Sequence, residues 1–119
     1  VGAALLSRSG KIYHGCNIEN ASYTPSNCAE RTAFFKAVSE GENEFEAIAI
    51  VGAKKDAPLD LCAPCGVCRQ VMMEFCDYEN FKIILAKSVD DYEIYSLKDL
   101  FPMGFGPKNL EYKTKEEYL

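Results

Sequence analysis

Two short, almost unbroken apolar runs constrain this chain more than anything else in it: FEAIAIVGA at 45–53 and FKIILA at 81–86. Runs of this length, rich in isoleucine and too short for a core helix, read as strands buried on both faces, and such strands belong to parallel pairs. Parallel neighbours need a long crossover, usually a helix. The sequence supplies one at 66–76, with Val67, Val71, Met72 and Phe75 on a single face. A second helical pattern, 28–40, precedes the first run and carries Ala29, Ala33, Phe34, Ala37 and Val38 in i, i+4 rows, with Gly41 as its stop. Upstream, residues 2–7 and 11–16 alternate like strands around SRSG and read as a hairpin. Downstream, 92–95 carries weaker strand character, and SLKDL reads as a short helical turn capped by Ser96. The tail from Lys108 is charged and reads as loosely packed.

The order β-β-α-β-α-β, then a small strand and helix, specifies an α/β fold built on one mixed sheet. Right-handed crossovers set the two main helices side by side when successive strands progress in one direction. Their N-termini then open together at the carboxyl ends of the strands, where α/β proteins bind ligands. A chain of 119 residues with 48% hydrophobic content fits one domain. Its formal charge is −5, with no basic run, so a nucleic-acid partner is not expected. No apolar run approaches the roughly 20 residues that span a bilayer. Nor does a signal-peptide pattern open the sequence, so no membrane partner and a cytoplasmic location are expected. The chain opens on Val1 directly inside a strand pattern, and further residues are expected before it.

Chemistry concentrates at the two helix starts. Cys28 opens the first, while LCAPCGVCRQ places Cys65 and Cys68 at the start of the second, with Cys62 just before it, so three thiols converge. Unpaired N–H groups and the positive dipole end favour thiolates there. Cys28, Cys65 and Cys68 make a three-thiolate zinc site with one position left for water. Cys62 and Cys65, as CAPC before a helix, fit a redox pair about equally well by spacing alone. Cys16 and Cys76 lie inside elements and read as small buried apolar residues. Glu30 has two readings as well: with Asn27 it forms a capping-box spacing, and beside a metal site it is a proton carrier. Arg31 is either a solvated charge or a guanidinium that offsets the excess charge of three thiolates.

NCAERTAFFKAVSEG and PCGVCRQ, with VGAALL and GCNIENASY upstream, resemble the small homotetrameric zinc-dependent cytidine deaminases, from Val1 to about Phe105. The resemblance implies a three-layer α/β/α fold with a mixed sheet of about five strands, and residues 1–119 as one such domain without the family's N-terminal helix. It implies one zinc per subunit on Cys28, Cys65 and Cys68, and hydrolysis of cytidine or deoxycytidine with Glu30 moving the proton. Asn17 and Glu19 would bind the ribose, the Ala29 N–H, free at the helix start, would contact the pyrimidine, and Arg31 would support the sulfurs. Tyr23 and Phe105 would reach a neighbouring subunit's site. His14, the only histidine, lies outside the motifs and has no expected catalytic part. The alternatives are a related deaminase of a non-ribonucleoside cytosine analogue of the blasticidin type, which Asn17 and Glu19 disfavour, and a redox or structural cysteine cluster, which has no use for Glu30. Ala63 stands where the family carries Ser or Thr, Cys62 is additional, and the loop before it is longer.

Overall fold

The structure, a computed structural model, describes residues 1–52 and 60–110. Strands β1 (Gly2–Ser7) and β2 (Ile12–Cys16) form the expected hairpin. Helix α1 (Ala29–Ser39), strand β3 (Phe45–Val51), helix α2 (Gly66–Phe75), strands β4 (Lys82–Ser88) and β5 (Asp91–Ser96) and the short helix α3 (Leu97–Leu100) follow. The expected end of β3 at Ala53 lies outside the described residues. Of the tail expected from Lys108, residues 111–119 also lie outside the described residues, while Pro107–Leu110 forms a 3-10 turn.

The sheet runs β2-β1-β3-β4-β5. Only β3 and β4 pair in parallel, Ile48 opposite Ile83 and Ile50 opposite Leu85; the other pairs among the described strands are antiparallel. The path β2 to β3 passes over β1, and the path β3 to β4 steps to the next strand the same way. Right-handed crossovers therefore place α1 and α2 on one face, with their N-termini at the carboxyl ends of β2 and β3. Tyr13, Leu5, Ile48 and Ile83 form one cross-strand row under the helices, and Ala3, Ile50 and Leu85 the next; all are buried. On the opposite face Ala4, Leu6, Ala47, Ala49 and Ile84 are half-buried, and Ile12 and Ile94 are exposed. The described residues thus supply the mixed sheet and its helical layer on the first face.

Phe34 on α1 joins helix to sheet, its ring 5.2 Å from Phe45 in an edge-to-face arrangement and 6.1 Å from Phe81. Phe34, Leu5, Ile48, Ile50, Met72, Phe81, Ile83 and Leu97 are fully buried, each contributing up to ~1.5–3 kcal/mol by removal from water. The helix ends are closed by local chemistry. Gly41 takes φ +97°, its N–H donates to Val38 O at 3.0 Å, and Glu42 N–H donates to Ala37 O at 3.1 Å, a complete Schellman motif. Ser96 caps α3 as expected, its hydroxyl accepting from Asp99 N–H while Asp99 accepts from Ser96 N–H, both at 3.0 Å.

Candidate functional site

The first half of the site is the start of α1, held close to the sheet by the smallness of Gly15. A side-chain carbon at Gly15 would stand 2.2 Å from Ala29 O and 2.7 Å from Ala33 N, so the helix backbone rests directly on β2. Thr32 adds a tether, its hydroxyl donating to Cys16 O at 2.9 Å and accepting from Asn27 Nδ2 at 3.2 Å. Cys28 occupies the N-cap position with extended backbone, and its side chain makes no capping hydrogen bond. The capping box expected of Asn27 and Glu30 does not form, because the helix starts one residue later than that spacing requires. Glu30 therefore falls in the first turn, with the residue only 4% exposed.

The second half is the start of α2, where Cys65 is the N-cap and Cys68 is buried in the first turn. Cys28 Sγ lies 3.7 Å from Cys65 Sγ, and Cys65 Sγ 3.5 Å from Cys68 Sγ. All three sulfurs lie within 4.8 Å of one another, and they are the one such group of potential ligands among the described residues. Tetrahedral coordination with metal–sulfur bonds of about 2.3 Å sets sulfurs roughly 3.8 Å apart, close to the 3.7 and 3.5 Å separations from Cys65, so the donor set suits zinc. Cys62 is outside this group; it packs under Gly52, its sulfur 3.2 Å from where a Cβ there would stand. The CAPC pair is thus divided, Cys65 facing Cys28 and Cys68 while Cys62 turns to the end of β3.

Electrostatics distinguish the thiols. Burial works to raise the Cys65 thiol, but the Cys68 N–H and thiol, the Cys28 thiol and the Val67 N–H outweigh it, and the net shift is downward. Cys68 is pushed far up, first by burial and then by the negative charge of Glu30. Burial and the same carboxylate raise Cys62. Arg31 Nη2 donates to Cys28 Sγ at 3.4 Å. Its pKa is raised, first by that bond and further by Cys68, although burial opposes the change. Arg31 Nε is the one fully buried side-chain nitrogen or oxygen without a hydrogen-bond partner among the described residues.

The other expected site residues lie on the loop between β2 and α1 and beyond α3. Ile18 exchanges both backbone hydrogen bonds with Asn27 at 2.8 Å, leaving Asn17 and Glu19 on either side of that bridge, both exposed. The Ala29 N–H, expected to be free, donates instead to Asn17 Oδ1 at 2.9 Å. Asn17 thus satisfies one of the open donors of the first turn, so a ligand contacting that N–H must displace Asn17. Tyr23 is 89% exposed and Phe105 55% exposed. Phe105 is fixed through its carbonyl, which accepts from Gln70 Nε2 at 2.7 Å. His14 lies exposed on β2 and is not in the group of potential ligands formed by Cys28, Cys65 and Cys68. Arg69, next to Cys68, donates to Pro64 O at 2.8 Å and to Leu100 O at 2.6 Å. Spacing does not distinguish it from a solvated cation, since neither carbonyl partner is legible in sequence.

Residues 1–84 match the family described as "Cytidine and deoxycytidylate deaminase zinc-binding region". The chain is 47% identical over 116 residues to a protein of Sporosarcina psychrophila named cytidine deaminase, covering 98% of this chain and 82% of that one. A Dictyostelium discoideum protein named probable cytidine deaminase is 40% identical over 117 residues, covering 98% and 76% respectively. Among solved structures, a cytidine deaminase from Burkholderia pseudomallei superposes with a TM-score of 0.76 at 45% identity, over 87% of this chain and 80% of that one. With a sequence match across most of its length and the same fold beneath it, the chain belongs to the cytidine and deoxycytidylate deaminase zinc-binding family.

Proposed function

We propose that this protein catalyses the hydrolytic deamination of cytidine, and of deoxycytidine, to the corresponding uridine nucleoside and ammonia. The observation that carries the reading is the meeting of three thiols at two helix starts with a buried carboxylate in the turn beside them. Cys28, Cys65 and Cys68 hold the zinc, which when bound supplies Lewis-acid activation of water at neutral pH. Glu30 accepts a proton from the attacking water and delivers it to N3 of the pyrimidine. A bond forms between the water oxygen and C4; Glu30, emptied by that delivery, then takes the second proton from the C4 hydroxyl and passes it to N4, so that the C4–N4 bond breaks, C4 becomes a carbonyl and the amine leaves as ammonia. Burial keeps Glu30 out of bulk water, so the proton it carries goes to the substrate rather than to solvent. Arg31, donating to Cys28, offsets part of the negative charge gathered on the three sulfurs.

Asn17 and Glu19 bind the ribose hydroxyls; on this reading Asn17 exchanges its hold on the Ala29 N–H for the sugar, which frees that N–H for the pyrimidine. Tyr23 and Phe105, both exposed, complete the site of a neighbouring copy in a homotetramer. Residues 1–119 act as one deaminase domain. The enzyme serves pyrimidine salvage in the cytoplasm, a compartment reducing enough to keep three ligand thiols unpaired. A redox role for Cys62 and Cys65 loses its support, because Cys65 is grouped with Cys28 and Cys68 and Cys62 is not. The test is the ultraviolet change on mixing zinc-loaded protein with cytidine. Conversion to uridine with release of one ammonia per turnover is expected; an unchanged spectrum from zinc-loaded protein contradicts the reading.

A further inference from the structure

The sulfur of Cys65 is aimed by its backbone, and one residue controls both peptide units on either side of it. The Arg69 backbone N–H donates to Cys65 O at 3.0 Å, as the first turn of α2 requires. The Arg69 side chain turns back, and its Nε donates to Pro64 O at 2.8 Å. The carbonyl before Cys65 and the carbonyl after it are thus held by the same residue, which fixes φ and ψ of the ligand between them. The other end of the guanidinium, Nη1, donates to Leu100 O at 2.6 Å, one of the carbonyls left open where α3 ends. Neither bond uses a carboxylate, so the interaction depends on the planar fork reaching two carbonyls at once. The next residue, Gln70, holds Phe105 O, so two consecutive side chains fasten the 100–105 segment to α2, and Arg69 alone continues the tie to the ligand loop.

We propose that Arg69 is a positioning residue for the metal centre: it fixes the orientation of Cys65 and couples the Pro64–Cys65 loop to the 100–105 segment. The inference rests on Cys65 being a zinc ligand, and not on the identity of the substrate. A group beyond the ligands that orients one of them is worth roughly 10–100-fold in metal affinity. Arg69→Gln removes the fork, and Arg69→Lys keeps the charge and most of the stem while losing it.

The experiment measures zinc dissociation constants by chelator competition on the full chain, with cobalt(II) substitution to record the thiolate charge-transfer and d–d bands. Both variants are expected to bind zinc ~10–100-fold more weakly, with altered cobalt bands. Should Arg69→Gln fail to fold, Arg69→Lys carries the test alone. Wild-type zinc affinity and unchanged cobalt bands in a folded Arg69→Lys overturn the proposal, whatever the protein does to cytidine. If instead the unmutated protein holds zinc through these sulfurs but leaves cytidine untouched, the deaminase reading fails and the role of Arg69 stands.

Discussion

Gly15→Ala is the perturbation that best exposes how the fold makes the site. The added carbon would lie 2.2 Å from Ala29 O and 2.7 Å from Ala33 N, both backbone atoms of α1, with Ala33 Cβ at 3.1 Å as the next neighbour. No flexible side chain is available to give way. Carbon–oxygen contacts rarely close below about 3.3 Å, so the start of α1 must retreat by roughly 1 Å. Overpacking of this kind costs about 1–3 kcal/mol. For a domain of this size that corresponds to a fall in Tm of roughly 4–12 °C. The local effect is larger than the global one, because Ala29 lies between Cys28 and Glu30 and both move with it. A misplacement of about 1 Å at a reacting centre costs on the order of 10²-fold in rate. Calorimetry beside steady-state kcat/KM on zinc-loaded protein reads both effects. A variant with unchanged Tm and unchanged turnover would refute the argument that direct helix-on-strand contact sets the site.

Two further outcomes follow from the site and its supports. Cys62→Ala is expected to retain one zinc per chain by atomic absorption, whereas Cys28→Ala loses it; the opposite pattern would reassign the ligands. Glu42 is held below the usual carboxylate range, first by the Ser7 hydroxyl and then by Ser9. Its folded pKa lies below its unfolded value of about 4.3, so its contribution is present above that pH and lost as pH falls through the folded value. Glu42→Gln is therefore expected to be less stable than the unmutated protein at pH 7, with the gap in urea midpoint narrowing toward pH 3; a gap independent of pH would sink the assignment.

The strand and helix order was legible because periodicity and length reported it directly: FEAIAIVGA and FKIILA read as apolar strands of a parallel arrangement, and two crossovers of one hand then brought the cysteine-bearing helix starts together. Gly41 and Ser96 announced the helix ends that they close. The choice between Cys62 and Cys68 as partner of Cys65 was not legible from spacing, since it depends on Cys65 being the N-cap and Cys68 falling in the first buried turn of α2. The Asn27–Glu30 capping box failed for a similar reason, as a shift of one residue in the helix start left the cap position to Cys28. Asn17, twelve residues upstream, then satisfied the Ala29 N–H, a long-range pairing that local spacing does not encode. Arg69 was equally hidden, because both of its partners are backbone carbonyls brought to it by the fold.

The central claim joins a three-sulfur zinc site to a carboxylate that moves protons without binding the metal. Glu30→Gln tests it most directly, since it preserves size and burial while removing the basic oxygen. Zinc content and cytidine turnover should be measured on the same preparation. The account predicts one zinc per chain and a fall in turnover of at least ~10²–10⁴-fold. Turnover near that of the unmutated protein, or loss of the zinc together with the activity, would contradict it.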